Sequence, residues 1–117
     1  MSFGPYKLDI EYYPGSEISR KGFWTVTDQD DNPVNLTGVE LEMQVKFSPK
    51  DHLSRAFIVF KTTDGTITVG GDDGNEITLN GVYQIEERHY YHDLLRKDVN
   101  DYVWYGKFIV TTNVTRI

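Results

Sequence analysis

The chain has 117 residues, with 12 Lys+Arg against 18 Asp+Glu and a net charge of -6. That length fits one domain, 1–117, with one hydrophobic core, and the acidic balance argues against nucleic acid, whose phosphates call for clustered Lys and Arg. No cysteine is present, which removes disulfides, thiolate metal sites and thiol nucleophiles together and suits a reducing cytoplasm. Hydrophobic residues make up 38% and charged residues 26%, the proportions of a folded chain, and no apolar run approaches the length of a membrane span. Met1 to Gly15 has neither a basic head nor an apolar stretch, so no secretory signal is read there.

In chain order the dominant signal is period two, the pattern of a strand with one buried face. Tyr6, Leu8, Ile10 and Tyr12 alternate with Lys7, Asp9 and Glu11. Ile18, Trp24 and Val26 alternate with Ser19, Thr25 and Thr27, with the register blurred at Arg20, Gly22 and Phe23. The clearest strand is Val39 to Phe47, where every odd position is apolar and every even one polar or charged. Ala56 to Phe60 is a short apolar run, Ile67/Val69 and Ile77/Leu79 alternate, and Val82 to Ile85 continues the series.

Between these runs lie residues that turn a chain: Pro14-Gly15, Asp28 to Pro33, Asp64-Gly65, Gly70 to Asn75 and Asn80-Gly81. Pro49 to Arg55, with Ser48 as a cap, can hold one helical turn in a connection. Glu86 to Lys97 reads either as a short helix or as a strand. We favour a strand from near Tyr90 paired with Tyr102 to Thr112. Short strands separated by turns predict an all-β antiparallel sandwich or barrel.

Motifs for chemistry are weak. Asp28-Gln29-Asp30-Asp31-Asn32 opens like a calcium loop, but the sixth and twelfth positions, which need Gly and a bidentate Glu, hold Pro33 and Val39; a turn is the simpler reading. Gly70 to Glu76 lacks the Lys-Ser/Thr ending of a phosphate loop and reads as a hairpin. His89 and His92, with Asp93 adjacent, would share a face on a helix but not on a strand. His52 has no distinguishable partner. Glu40 and Glu42 read as solvent-facing charges. No serine has the local setting of a nucleophile. The expectation is a non-enzyme without metal or cofactor.

The aromatic content is the informative feature, 14% of the chain with 8 Tyr. The last strand puts Tyr102, Trp104, Phe108 and Val110 on one face and Val103, Tyr105 and Ile109 on the other. If one face fills the core, the other is either partly wet or a protein contact, since Tyr and Trp are enriched at interfaces. Trp104, Tyr105, Tyr102 and Tyr91 are therefore the candidate interface residues. Trp24, Leu41, Met43, Val45, Phe108 and Val110 are the candidate core. Edge strands and a two-faced last strand predict a homo-oligomer.

The segment from Trp24 to Gly38, WTVTDQDDNPVNLTG, resembles the pattern TVTD-x-D-G-N-P-V-D-L-T-G of small tailed-bacteriophage virion proteins, including the N-terminal domain of phage baseplate upper proteins. Asp31 stands where that pattern has Gly. The strand at Val39 to Phe47, Lys61 to Ile67, Tyr91 to Leu94, and Gly106 to Val110 with Val114-Thr115-Arg116 follow the same order. The resemblance implies an immunoglobulin-like β-sandwich in which Pro33, Leu36 and Gly38 serve the fold. It implies a virion structural or attachment module of tail, baseplate, neck or capsid, made in the bacterial cytoplasm, with other phage structural proteins as partners. The receptor-holding role of further domains in baseplate upper proteins does not transfer. A carbohydrate-binding sandwich, with exposed Tyr and Trp stacking on sugar rings, is the first alternative. A small metal-dependent hydrolase using His89, His92 and Asp93 is the second.

Overall fold

In a computed structural model describing residues 6–47 and 56–111, the alternating segment forms an interior strand of the larger sheet. Leu41, Met43 and Val45 of β4 (Leu41–Lys46) are buried, while Glu42, Gln44 and Lys46 face outward, as pleating requires. Antiparallel neighbours flank it: β5 (Ile58–Lys61) on one side and β8 (Arg88–Arg96) on the other. A hairpin joins β8 to β9 (Asp101–Val110), so the Glu86–Lys97 segment is a strand. The hairpin expected from Tyr90 is there and begins two residues earlier. The helical turn expected over Pro49 to Arg55, together with His52 and the Val114-Thr115-Arg116 close, lies outside the described residues.

The second sheet contains β3 (Trp24–Thr25), β7 (Glu76–Leu79) and β6 (Ile67–Gly70), in the order β3-β7-β6 and antiparallel throughout. The two sheets pack into an all-β sandwich in one compact domain. Its two strand orders, β9-β8-β4-β5 facing β3-β7-β6, correspond to the G-F-C-C′ and B-E-D sheets of immunoglobulin-type sandwiches. The Tyr90 hydroxyl donates to the Glu86 carbonyl at 3.0 Å, the counterpart of the tyrosine corner at the start of strand F in that architecture.

Sequence and structure part at three places. First, the sandwich is not wholly antiparallel. β1 (Tyr6–Lys7) and β2 (Ile10–Tyr12) both pair with β9 in parallel. Alternation reports which face a side chain takes but not the direction of its partner, and the long route from β2 to β9 permits the parallel arrangement.

Second, Ile18–Lys21 is a 3-10 turn, not part of a strand. The Glu17 carboxylate accepts the Ser19 N–H at 3.2 Å, and Gly22 leaves the turn at φ 103°, a conformation that favours glycine. Ile18 still plugs the core, which accounts for its apolar character. Third, Val82 to Ile85 forms no strand beyond an isolated bridge from Val82 to Glu17. The buried Tyr12 phenol takes over the ladder's function there. It accepts the Tyr83 N–H at 2.8 Å and donates to the Ser16 carbonyl at 2.6 Å.

Most of the predicted core is fully buried: Leu41, Met43, Val45, Phe108 and Val110, with Trp24 partly buried against them. Trp24 meets Trp104 edge-on at 5.7 Å between ring centroids, a favoured aromatic geometry. Leu36 is buried, and Gly38 has φ 78°, a conformation that favours glycine. Asp28 folds its own loop, its Oδ1 accepting the N–H groups of Asp30 at 2.8 Å and Asn32 at 3.0 Å. Among the described residues no helix is long and apolar enough to cross a membrane.

The N-terminal edge is fastened by an unusual device. Between β1 and β2 the ladder is interrupted, and the Asp9 carboxylate accepts the Lys107 N–H at 3.0 Å in place of a backbone carbonyl. That bond holds the Asp9 carboxyl below the usual carboxylate range. Gly106 lies opposite, and any Cβ there would collide with the Leu8 carbonyl. The bare position also lets His92 on β8 bond across β9, its Nε2 meeting the Leu8 carbonyl oxygen at 2.7 Å. The carbonyl accepts, so Nε2 carries the proton.

Candidate functional site: the outer face of the larger sheet

β8 and β9 run in simple register from Arg88 opposite Val110 to Leu94 opposite Trp104, and then the pairing slips, with Leu95 opposite Tyr102. Val103 is the extra residue of a β-bulge, and Val103 and Trp104 are both buried in succession. A bulge exchanges the two faces of everything beyond it. Tyr102 is thereby moved from the inner face, where simple alternation puts it beside Trp104, to the outer face with Tyr105.

The four candidate interface residues therefore separate. Trp104 is 2% exposed and belongs to the core, which corrects its assignment to a contact surface. Tyr102 is 49% exposed and Tyr105 46%, and Tyr91 is half-buried on the same outer face.

Register places this face in rows. One row runs Lys7, Tyr105, Asp93, Gln44, Val59 across five strands. On one side lie Lys107, Tyr91 and Lys46, and on the other Tyr102, Leu95, Glu42 and Lys61. Asp93 is thus at the centre. It is half-buried, and among the described residues its carboxylate makes no hydrogen bond. Burial pushes its pKa up, partly opposed by the nearby Lys46 ammonium and reinforced by Glu42.

Glu42 is engaged: Lys97 Nζ lies 2.7 Å from it, and the Gln44 amide donates to it at 2.7 Å. These contacts, the lysine first, lower its pKa. Lys7, Lys46 and Lys107 have no ion pair among the described residues. Asp9, the other carboxylate near Lys7 and Lys107, accepts the Lys107 backbone N–H.

Two adjoining depressions occupy the face. One, of about 300 Å³, is lined by Tyr91, Tyr105, Asp93 and Gln44 with Lys7, Lys46 and Lys107 around them. The other, of about 260 Å³, shares Asp93, Gln44 and Lys46 and adds Leu95, Tyr102 and Glu42.

His89 and His92 do not converge, because β8 is a strand: His89 is exposed, whereas His92 is 4% exposed and turned into the sandwich. Asp93 and His89, four residues apart, are separated by roughly 13 Å along the strand. Among the described residues no group of three or more His, Asp and Glu is placed to hold a metal ion. Desolvation depresses the His92 pKa to about 4, opposed by the Leu8 hydrogen bond and Asp9, so its ring is neutral at pH 7. The lysine trio escaped the sequence reading, and Asp93 entered it only beside His89 and His92. Their signal was parity: Lys7 and Lys107 fall on the Tyr105 face, and Asp93 on that of Tyr91, once the strands are aligned. No family model, no curated protein and no solved structure matches the chain.

Proposed function

We propose that the protein is a docking module of a tailed-phage virion, contacting neighbouring protein subunits, its own copies included, through the outer face of the larger sheet. The observation that carries this reading is the outward pair Tyr102 and Tyr105, each about half exposed on the outer face of the larger sheet. Tyrosine supplies a large rigid contact area and a hydroxyl, and it is over-represented where proteins meet. The bulge at Val103 is what brings the two rings to one side, and bulges commonly re-aim side chains at functional places. Leu95 beside Tyr102 extends the apolar contact toward the β8–β9 turn, where Val99 is exposed.

The virion assignment is supported by the resemblance of Trp24 to Gly38 and the order of landmarks after it, and the role is structural, with no catalytic step. Sedimentation of purified protein over a range of concentrations, alongside a Tyr102→Ser/Tyr105→Ser double variant, tests the docking element. Self-association that the variant abolishes is the expected result. A monomer at every concentration, together with absence of the chain from mass spectra of purified particles, would refute the reading.

A further inference from the structure

We infer that the depression between Tyr91 and Tyr105 is a binding site for an acidic saccharide, one whose sugar rings carry both hydroxyls and a carboxylate. The inference goes beyond subunit docking; the depression shares Tyr105 with that reading and lies on the other side of Tyr105 and Asp93 from Tyr102 and Leu95. Three features of the depression specify the ligand.

The first is charge. A chain with a net charge of -6 gathers Lys7, Lys46 and Lys107, without ion pairs among the described residues, around one depression. Three ammonium groups bordering one depression are complementary to an anion. The second is the pair of phenol rings. Tyr91 and Tyr105 are diagonal neighbours on adjacent strands, and the depression of about 300 Å³ lies at the lower end of the range for small-ligand sites. Flat apolar rings flanking a cleft of this size suit the C–H face of a sugar ring.

The third feature decides between a saccharide and an acidic peptide. Asp93, which lines the depression and is half-buried, makes no hydrogen bond among the described residues. An ionised carboxylate accepts and never donates, and a partly buried one gains from every donor brought to it. Sugar hydroxyls supply such donors. An acidic peptide brings donors only on its backbone N–H groups, one per residue, whereas each sugar ring carries several hydroxyls beside its single carboxylate. The arrangement is therefore matched to a ligand with hydroxyl donors for Asp93, an anionic group for the lysines and a ring face for the tyrosines.

The test is a titration of the full chain with tetra-galacturonic acid, followed by backbone NMR, with its methyl ester and a poly-glutamate peptide in parallel. Saturable shifts at Tyr91, Asp93 and Tyr105 are expected, weakening at least tenfold on esterification and as salt is raised. Asp93→Asn and Tyr105→Ser should each weaken binding about tenfold, the scale of one charge-assisted hydrogen bond, and Lys107→Gln severalfold. Thermal denaturation of each variant confirms that it is folded. Tyr102→Ser should leave the titration unchanged even where it abolishes self-association, which separates this site from the docking reading. No saturable binding in the millimolar range overturns the inference. So does poly-glutamate binding that tightens in Asp93→Asn, since removal of a repulsive charge marks an acidic protein partner.

Discussion

Replacing Gly106 with alanine tests how the N-terminal strands are held. An ideal Cβ at this position lies 2.6 Å from the Leu8 carbonyl carbon and closer still to its oxygen. Both obstructing atoms are backbone, so relief requires β1 and β2 to move away from β9. That movement strains two bonds: Leu8 N–H to the Tyr105 carbonyl, 2.8 Å, and His92 Nε2 to the Leu8 carbonyl, 2.7 Å. Each is worth about 1 kcal/mol net, and forcing a methyl into a packed site costs about 1–3 kcal/mol. The expected loss is about 3–5 kcal/mol, a large share of a small domain's stability.

Urea denaturation gives the total, and hydrogen exchange locates it. The Lys107 amide, which donates to Asp9, should lose protection while β4 keeps its own. A Gly106→Ala protein within about 0.5 kcal/mol of the parent, with Lys107 still protected, would refute the account of this edge.

Stability should also depend on His92. Its folded pKa is depressed from 6.5 to about 4, so between those values the unfolded chain binds a proton that the folded chain does not. The contribution is fully present above pH 6.5, declines as pH falls toward 4 and then levels off. At roughly 1.4 kcal/mol per pH decade it amounts to about 3 kcal/mol. His92→Gln retains a donor for Leu8 but does not titrate, and its denaturation midpoint should be flatter across that window; parallel curves would contradict the assignment. Tyr12→Phe removes the acceptor of the Tyr83 N–H and the donor to the Ser16 carbonyl. It should cost about 1–3 kcal/mol and expose the Tyr83 amide to exchange, and an unchanged protein would show that this phenol does not replace a ladder.

The strands were legible wherever one face is buried and the other wet. Val39 to Phe47 declared itself because its even positions are charged or amide-bearing, and the structure buries Leu41, Met43 and Val45 accordingly. Ile18 misled because a single buried plug on a 3-10 turn has the same composition as a strand residue. Val82 to Ile85 misled because hydrogen bonds from a distant phenol leave no mark in the local pattern.

The candidate surface was half legible. Tyr105 and Tyr91 follow from parity alone, whereas Tyr102 and Trp104 part to opposite sides at Val103, a bulge with no local signal of glycine or proline. Charge was harder to read. The overall acidity of the chain concealed a lysine-bordered face assembled from residues as distant in sequence as Lys7 and Lys107, which only the parallel pairing of β1 with β9 brings together.

Hydroxyl-radical footprinting of the tyrosines, comparing the free protein with the chain inside purified phage particles, addresses the docking face most directly. Protection of Tyr102 and Tyr105 in the particle, with exposed Tyr13 labelled equally in both states, is the predicted result. Equal labelling of all three in both states, or particles without this chain, would contradict it.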